Sequence, residues 1–178
     1  MSNVIKLSSY EPKEEDRFFF DTNIWLYLFC PIGQYRQELV DEYNKFFLKV
    51  LQKKCKIYTS SIVLSEFFNT YSRIEFNIKK QQQPHKYRQY KRDFRNSEEF
   101  GDLSKDICEL INSKILKYAN KLNDRFDSMD LNTILLPNNN YDFNDIYLAQ
   151  LCLREEIKIL TNDGDFQKIN SNIEIITA

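Results

Sequence analysis

Three consecutive phenylalanines, Phe18-Phe19-Phe20, run directly into Asp21-Thr22-Asn23. Three apolar rings in a row read as a buried strand. The strand stops at a carboxylate, a hydroxyl and an amide, and an apolar run from Ile24 to Phe29 follows at once. In an open α/β sheet, ligands bind beyond the carboxyl ends of the strands. Asp21 would stand at that edge, at the start of the next helix. The question is what other oxygen ligands the chain brings to the same place.

With 178 residues the sequence fits one domain, residues 1–178, long enough for a real core. Only 3 Gly and 4 Pro occur, which favours helices with short connections over a turn-rich all-β fold. The apolar and polar periods alternate along the chain. Strands are expected at Arg17–Phe20, Lys56–Thr59, Ile157–Thr161 and Ile173–Thr177. Helices are expected from Ile24 to Phe29, Tyr35 to Lys54, Ile62 to about Ser72, Ser104 to Leu122, and Asp142 or Asn144 to about Glu156. Residues 1–16 read as a loose lead-in, Asp127–Pro137 as an ambiguous stretch with room for a short helix and then an extended Thr133–Leu136, and Asn138–Tyr141 as a loop. Strands alternating with helices imply a parallel sheet covered on both faces, an α/β fold.

Several function classes are poorly supplied. His85 is the only histidine, and no phosphate-binding glycine loop occurs, so any chemistry rests on carboxylates. The four cysteines are far apart and form no C-x-x-C, as expected of buried thiols in a reducing compartment. No signal sequence is expected in the polar N-terminal residues, and no apolar run approaches the ~20 residues of a membrane span. The expectation is a cytoplasmic protein. The net charge of −1 does not announce a nucleic-acid partner, so any basic surface must be local.

One such surface is encoded. Residues 79–95 carry seven Lys/Arg against one Asp, with Tyr87, Tyr90 and Phe94 interleaved. Lys86, Arg88, Lys91, Arg92 and Arg95 could neutralise phosphates while the rings stack on bases. The same three rings also fit helical spacing, so an ordinary solvated helix with its rings turned inward accounts for them equally well.

The carboxylates admit two readings as well. Asp21, Asp142 and Asp163 each stand where a helix N-cap is wanted. Glu66, in the apolar helix after the second strand, reaches solvent, pairs with a cation or binds something. Taken together they are harder to dismiss. The strands ending at Phe20 and Thr161 would share one sheet edge, making Asp21 and Asp163 neighbours, with Glu66 and Asp145 facing the same cleft. Two carboxylates ~5 Å apart repel by roughly 3 kcal/mol at an effective dielectric near 20. Four require a counter-charge, and oxygen ligands without His or thiolate select Mg²⁺ or Mn²⁺.

Four segments carry a family resemblance: Phe20-Asp21-Thr22-Asn23, Ser61-Ile62-Val63-Leu64-Ser65-Glu66-Phe67, Asn144-Asp145-Ile146-Tyr147-Leu148-Ala149 and Leu160-Thr161-Asn162-Asp163-Gly164-Asp165-Phe166. In order and spacing the set resembles the PIN domain, over about residues 17–177. The resemblance implies a three-layer α/β/α domain around a parallel sheet, and Mg²⁺- or Mn²⁺-dependent endonuclease activity, most often on RNA. It implies Asp21, Glu66, Asp145 and Asp163 as the catalytic, metal-binding quartet, with Asp165 as a further acid. Thr22 and Asn23 match the polar pair that orients the first aspartate, and Asp142 is an extra carboxylate one turn before Asp145. Many members resemble VapC-type toxins, usually dimeric and held by an antitoxin, which adds an antitoxin protein and a homodimer to the expected partners. This chain is longer than the compact toxins, with the surplus in residues 74–126. A haloacid-dehalogenase-type phosphatase would need a second Asp where Asn23 stands. A PIN-like module that binds RNA or protein without cutting is the other alternative.

Overall fold

The computed structural model describes residues 3–137, 140–169 and 172–178. The chain opens with β1 (Asn3–Lys6), then β2 (Arg17–Phe20), α1 (Thr22–Phe29), α2 (Gln37–Gln52), β3 (Lys56–Thr59) and the long α3 (Ser61–Gln82). After a π-turn at Tyr90–Phe94 come α4 (Glu98–Leu110), a second π-turn (Ile111–Ile115), α5 (Leu116–Tyr118) and β4 (Ala119–Lys121). The remainder is α6 (Leu131–Ile134), α7 (Phe143–Arg154), β5 (Lys158–Leu160), α8 (Asp165–Lys168) and β6 (Glu174–Thr177).

Among the described residues six strands pair in parallel, in the order β1-β6-β5-β2-β3-β4. From β2 the chain winds outward through β3 to β4, then returns to the other side of β2 and winds through β5 to β6. Right-handed crossovers in opposite directions place their helices on opposite faces. Accordingly α1 packs on α2 and α3, and α3 on α4, while α7 packs on α6 and α8. The result is a three-layer α/β/α architecture. It also creates a topological switch point between β2 and β5.

The triple phenylalanine sits at that centre. Phe18, Phe19 and Phe20 are each fully buried. Phe18 meets Phe46 of α2, and Phe20 meets Trp25 of α1 and Phe47 of α2. Side chains alternate along a strand, so Phe19 serves the opposite face. A strand covered on both faces has no polar side to show, hence three rings in a row. Burying each contributes roughly 1.5–3 kcal/mol.

Helix ends are set by local chemistry. Ser60 Oγ caps α3 through Val63 N–H, and Asp142 caps α7. Both α2 and α7 end in the same device. Cys55 N–H returns to Val50 C=O while Lys54 N–H returns to Leu51 C=O, and Ile157 and Glu156 repeat this on Cys152 and Leu153. The pivots are Lys54 (φ 57°) and Glu156 (φ 54°). Glycine is the usual pivot of this motif, because a Cβ is strained there. Lys54→Gly and Glu156→Gly are therefore each expected to stabilise the chain by about 0.5–1 kcal/mol, read from urea midpoints.

Four expectations are corrected. Residues 3–6 form an edge strand, not a loose lead-in; one face is solvated and the strand has only four residues, so little pattern marks it. The helix after Ser61 runs ten residues past Ser72 to Gln82, since no breaker precedes Pro84. The stretch 104–122 is a helix that loosens into a π-turn and then gives way to β4, whose Asn120 and Lys121 are exposed. Thr133–Leu136 is not extended: Asp130 accepts from Asn132 N–H and Thr133 Oγ1 and starts the short α6. Residues 138 and 139 of the expected loop lie outside the described residues. Among the described residues no helix is long and apolar enough to cross a membrane.

Candidate active site

The strand order puts the ends of β2 and β5 side by side, and Asp21 N–H continues their ladder to Leu160 C=O at 3.1 Å. This is the sheet's switch point, where ligands bind in open α/β folds. Asp21 and Asp163, 142 positions apart in sequence, therefore belong to one cleft.

Asp21 is buried and fully partnered. One carboxylate oxygen accepts from Thr22 N–H at 2.6 Å. The other accepts from Asn23 Nδ2 at 2.6 Å and from Thr161 Oγ1 at 2.7 Å. Thr161 Oγ1 also accepts from Asp163 N–H at 2.9 Å, which ties the two acid-bearing turns together. Asn23 Oδ1 accepts from Asn162 N–H at 3.1 Å, and Asn162 Nδ2 donates to Tyr27 Oη. Beneath this, buried Tyr43 donates to Thr161 C=O and accepts from Ala178 N–H. Each polar group has a partner, so the turn's shape is fixed.

Glu66 comes from the second turn of α3. Thr22 Oγ1 donates to its Oε2 at 2.7 Å and Asn144 Nδ2 to its Oε1 at 2.5 Å. Asp145, in the first turn of α7, exchanges backbone and side-chain bonds with Asp142 in a capping box. Asp163 accepts from Asp165 N–H at the head of α8, and Asp165 in turn accepts from Lys168 Nζ at 2.5 Å.

These acids feel one another's charge. Burial pushes the Asp21 carboxyl up to about 7, against the pull of its bonds to Thr161 and Thr22; Glu66 and Asp163 add to the rise. Burial also pushes Asp145 up to about 6, with the carboxylates of Asp142, Asp163 and Asp165 acting in the same direction. The four acids of the expected quartet thus form a linked set.

That set is an all-oxygen donor group, and Asp21 and Asp145 resist ionisation in the absence of a counter-charge. This chemistry fits a hard divalent cation. The geometry is open, however. Among the described residues no three acid, thiol or imidazole groups converge enough to hold one ion as they stand. Asp145 spends an oxygen on Asp142 N–H, and Asp165 one on Lys168.

Asn144, Thr161, Asn162, Tyr27 and Tyr43 hold the site and were not picked out from the sequence. The first three lie inside the acid-bearing segments. Tyr43 reads there only as one apolar position of a helix. Asn23 bonds Asp21 through its side chain, whereas Thr22 meets Asp21 only through its backbone N–H and gives its hydroxyl to Glu66. Asp142 is the N-cap partner of Asp145.

The basic residues do not join this cleft. Tyr87 and Phe94 are buried and Tyr90 half-buried, packed with Phe76, Phe100 and Leu103 into a small second core. The expected ring platform for bases is therefore absent: the rings face inward. Lys86 pairs with Glu99 at 2.5 Å and Arg92 with Asp93 at 2.6 Å, whereas Arg88, Lys91 and Arg95 are exposed.

No curated protein and no solved structure shows a significant match to the chain. The family model of the PIN domain matches residues 18–172, from the triple phenylalanine to just short of β6. With that span covering well over half its length, the chain belongs to the PIN domain family.

Proposed function

We propose that this protein is a divalent-metal-dependent endoribonuclease, with Asp21, Glu66, Asp145 and Asp163 as the metal-holding and catalytic carboxylates and Asp165 as a further acid. PIN domains are nuclease domains in general, act on nucleic acids and generally use divalent metals. The observation that carries the reading is the linked acid set at the sheet's switch point, with Asp21 buried and held by three donors. Mg²⁺ or Mn²⁺, when bound, supplies water activation and neutralises charge growing on the phosphoryl oxygens. The chain's own residues prepare the site. Asn23 and Thr161 orient Asp21, while Thr22 and Asn144 grip both oxygens of Glu66. Asp142 holds Asp145 at the helix start, and Tyr43 fixes the Thr161 turn from below.

Incubation with single-stranded RNA and DNA, each with Mn²⁺ or with EDTA, tests this. Cleavage of RNA with Mn²⁺ and none with EDTA is the expected outcome. Equal cleavage in both, or none in either, removes the reading. A second reading, an inert PIN module that binds without cutting, is favoured by the open spacing of the acids. Calorimetric titration of Mn²⁺ separates the two, since no binding isotherm would support the inert module. For physiology we adopt the toxin role, with an antitoxin partner and a homodimer; expression that arrests growth, relieved by a neighbouring small DNA-binding protein, is its test.

A further inference from the structure

The exposed side of α3 connects the cleft to the basic segment without an acidic residue. Up to Lys80 its exposed positions are Ser61, Ser65, Asn69, Arg73, Asn77 and Lys80. Spacings of three and four residues place them in one stripe along the helix. At the cleft end, Ser61 and Ser65 line an open cavity of about 430 Å³ with Ile62, Glu66 and Asn144.

At the other end the basic segment folds back onto α3. Arg73 lies over the Tyr90 ring, 4.8 Å from its centroid, and Tyr90 Oη shares a 2.7 Å hydrogen bond with Ser72 Oγ. Phe76 packs on Tyr90 and Phe94, and Phe68 on Phe100. These contacts seat the segment beside the middle of the helix. Arg88, Lys91 and Arg95 project from it, and among the described residues no carboxylate pairs with their side chains, while Lys86 and Arg92 are engaged by Glu99 and Asp93. With its rings turned inward, the segment offers cations and no stacking surface. Such a surface contacts phosphates, which position a strand and carry no sequence information.

We propose that the α3 stripe and the basic segment form a track for the phosphates of an RNA strand, leading from the carboxylate cleft past Arg73 to Arg88, Lys91 and Arg95. The proposal rests on the ribonuclease reading above. Arg73 lies about 10 Å beyond Glu66 along the helix axis and Phe76 about 15 Å. At 3.4 Å per nucleotide along a duplex strand, this is about three to four nucleotides. A strand that fills both places must extend that far on one side of the cut; a shorter one meets the cleft alone.

The test is fluorescence anisotropy across a salt series, in the Asp21→Asn background with EDTA so that cleavage is suppressed. The probes are one oligouridine too short to span the track and one several times longer. Replacing Arg88, Lys91 and Arg95 by Glu is expected to weaken the long probe at least about tenfold at low salt. Three lost phosphate contacts lower its salt slope by about 2, and binding of the short probe stays unchanged. Arg73→Gln gives up the contact to the Tyr90 ring but keeps the Ser72, Phe76 and Phe68 contacts that seat the segment, and is expected to lower the slope by at most one contact's worth, about 0.7. An unchanged slope for the long probe, or equal loss on both probes, overturns the track. If wild type cuts nothing but the slope still depends on these residues, the nuclease reading falls and the track stands. If wild type cuts and the slope does not respond, the track alone falls.

Discussion

Asp21→Asn is expected to lower RNA cleavage by more than about 100-fold and to erase the Mn²⁺ binding isotherm, with the fold retained. Loss of residues that merely orient metal ligands typically costs 10- to 100-fold, and Asp21 is placed as a ligand itself. Retention of the fold follows from its hydrogen bonds. The new amide oxygen still accepts from Thr22 N–H. The amide nitrogen faces Asn23 Nδ2, which keeps Thr161 Oγ1 as an acceptor at 3.1 Å, and the Thr161 hydroxyl, whose proton loses its acceptor, at a cost of about 1–3 kcal/mol. Cleavage by a single-turnover assay, metal binding by calorimetry and melting by circular dichroism read the three parts separately. Full activity in this variant would remove Asp21 from the site.

The second large effect is on the metal-free chain, whose stability is expected to fall as pH rises from about 4 to 7. The folded Asp21 carboxyl sits near 7, above its ordinary value of 3.8, chiefly because burial disfavours its charged form. A group whose folded pKa is raised contributes stability that is complete below the unfolded pKa. That contribution is lost as pH rises through the folded one. The linkage is worth about 4 kcal/mol for Asp21, and Asp145, also raised, acts with the same sign. Urea melts in EDTA at pH 5 and pH 8 measure it. Asp21→Asn should be less stable than wild type at pH 5, where it lacks an acceptor. At pH 8, where it avoids a buried charge, it should be more stable. Saturating Mg²⁺ is expected to flatten the wild-type dependence, because the cation binds the charged form. A wild-type profile that is flat in EDTA would mean that the cleft is better solvated than its burial indicates.

Much of this site was legible because it is written locally. Phe18–Phe20 could only be a strand covered on both faces, and Lys56–Thr59 was bounded by helix signals on each side. Ser60 and Asp142 announced their helices by cap chemistry. What escaped was structure held by backbone pairing alone. β1 and β4 are short edge strands with mostly exposed side chains, so neither period nor propensity marks them. The basic segment was legible in composition and ambiguous in orientation, because Tyr87, Tyr90 and Phe94 suit either a base-stacking surface or a packed face. Phe76 and Phe100, which flank the segment on either side in the sequence, decided for packing.

By itself the sequence determined that carboxylates, not histidine or paired thiols, are the groups on offer for any chemistry, and that Asp21 closes a buried strand. Residue type and local period are enough for both. Only the tertiary structure decided that β2 and β5 adjoin, that Thr161 bridges Asp21 to Asp163, and that Asn144 and Thr22 hold Glu66. Those pairings depend on strand order, which is fixed by how helices cover two faces of one sheet. No local pattern carries that information.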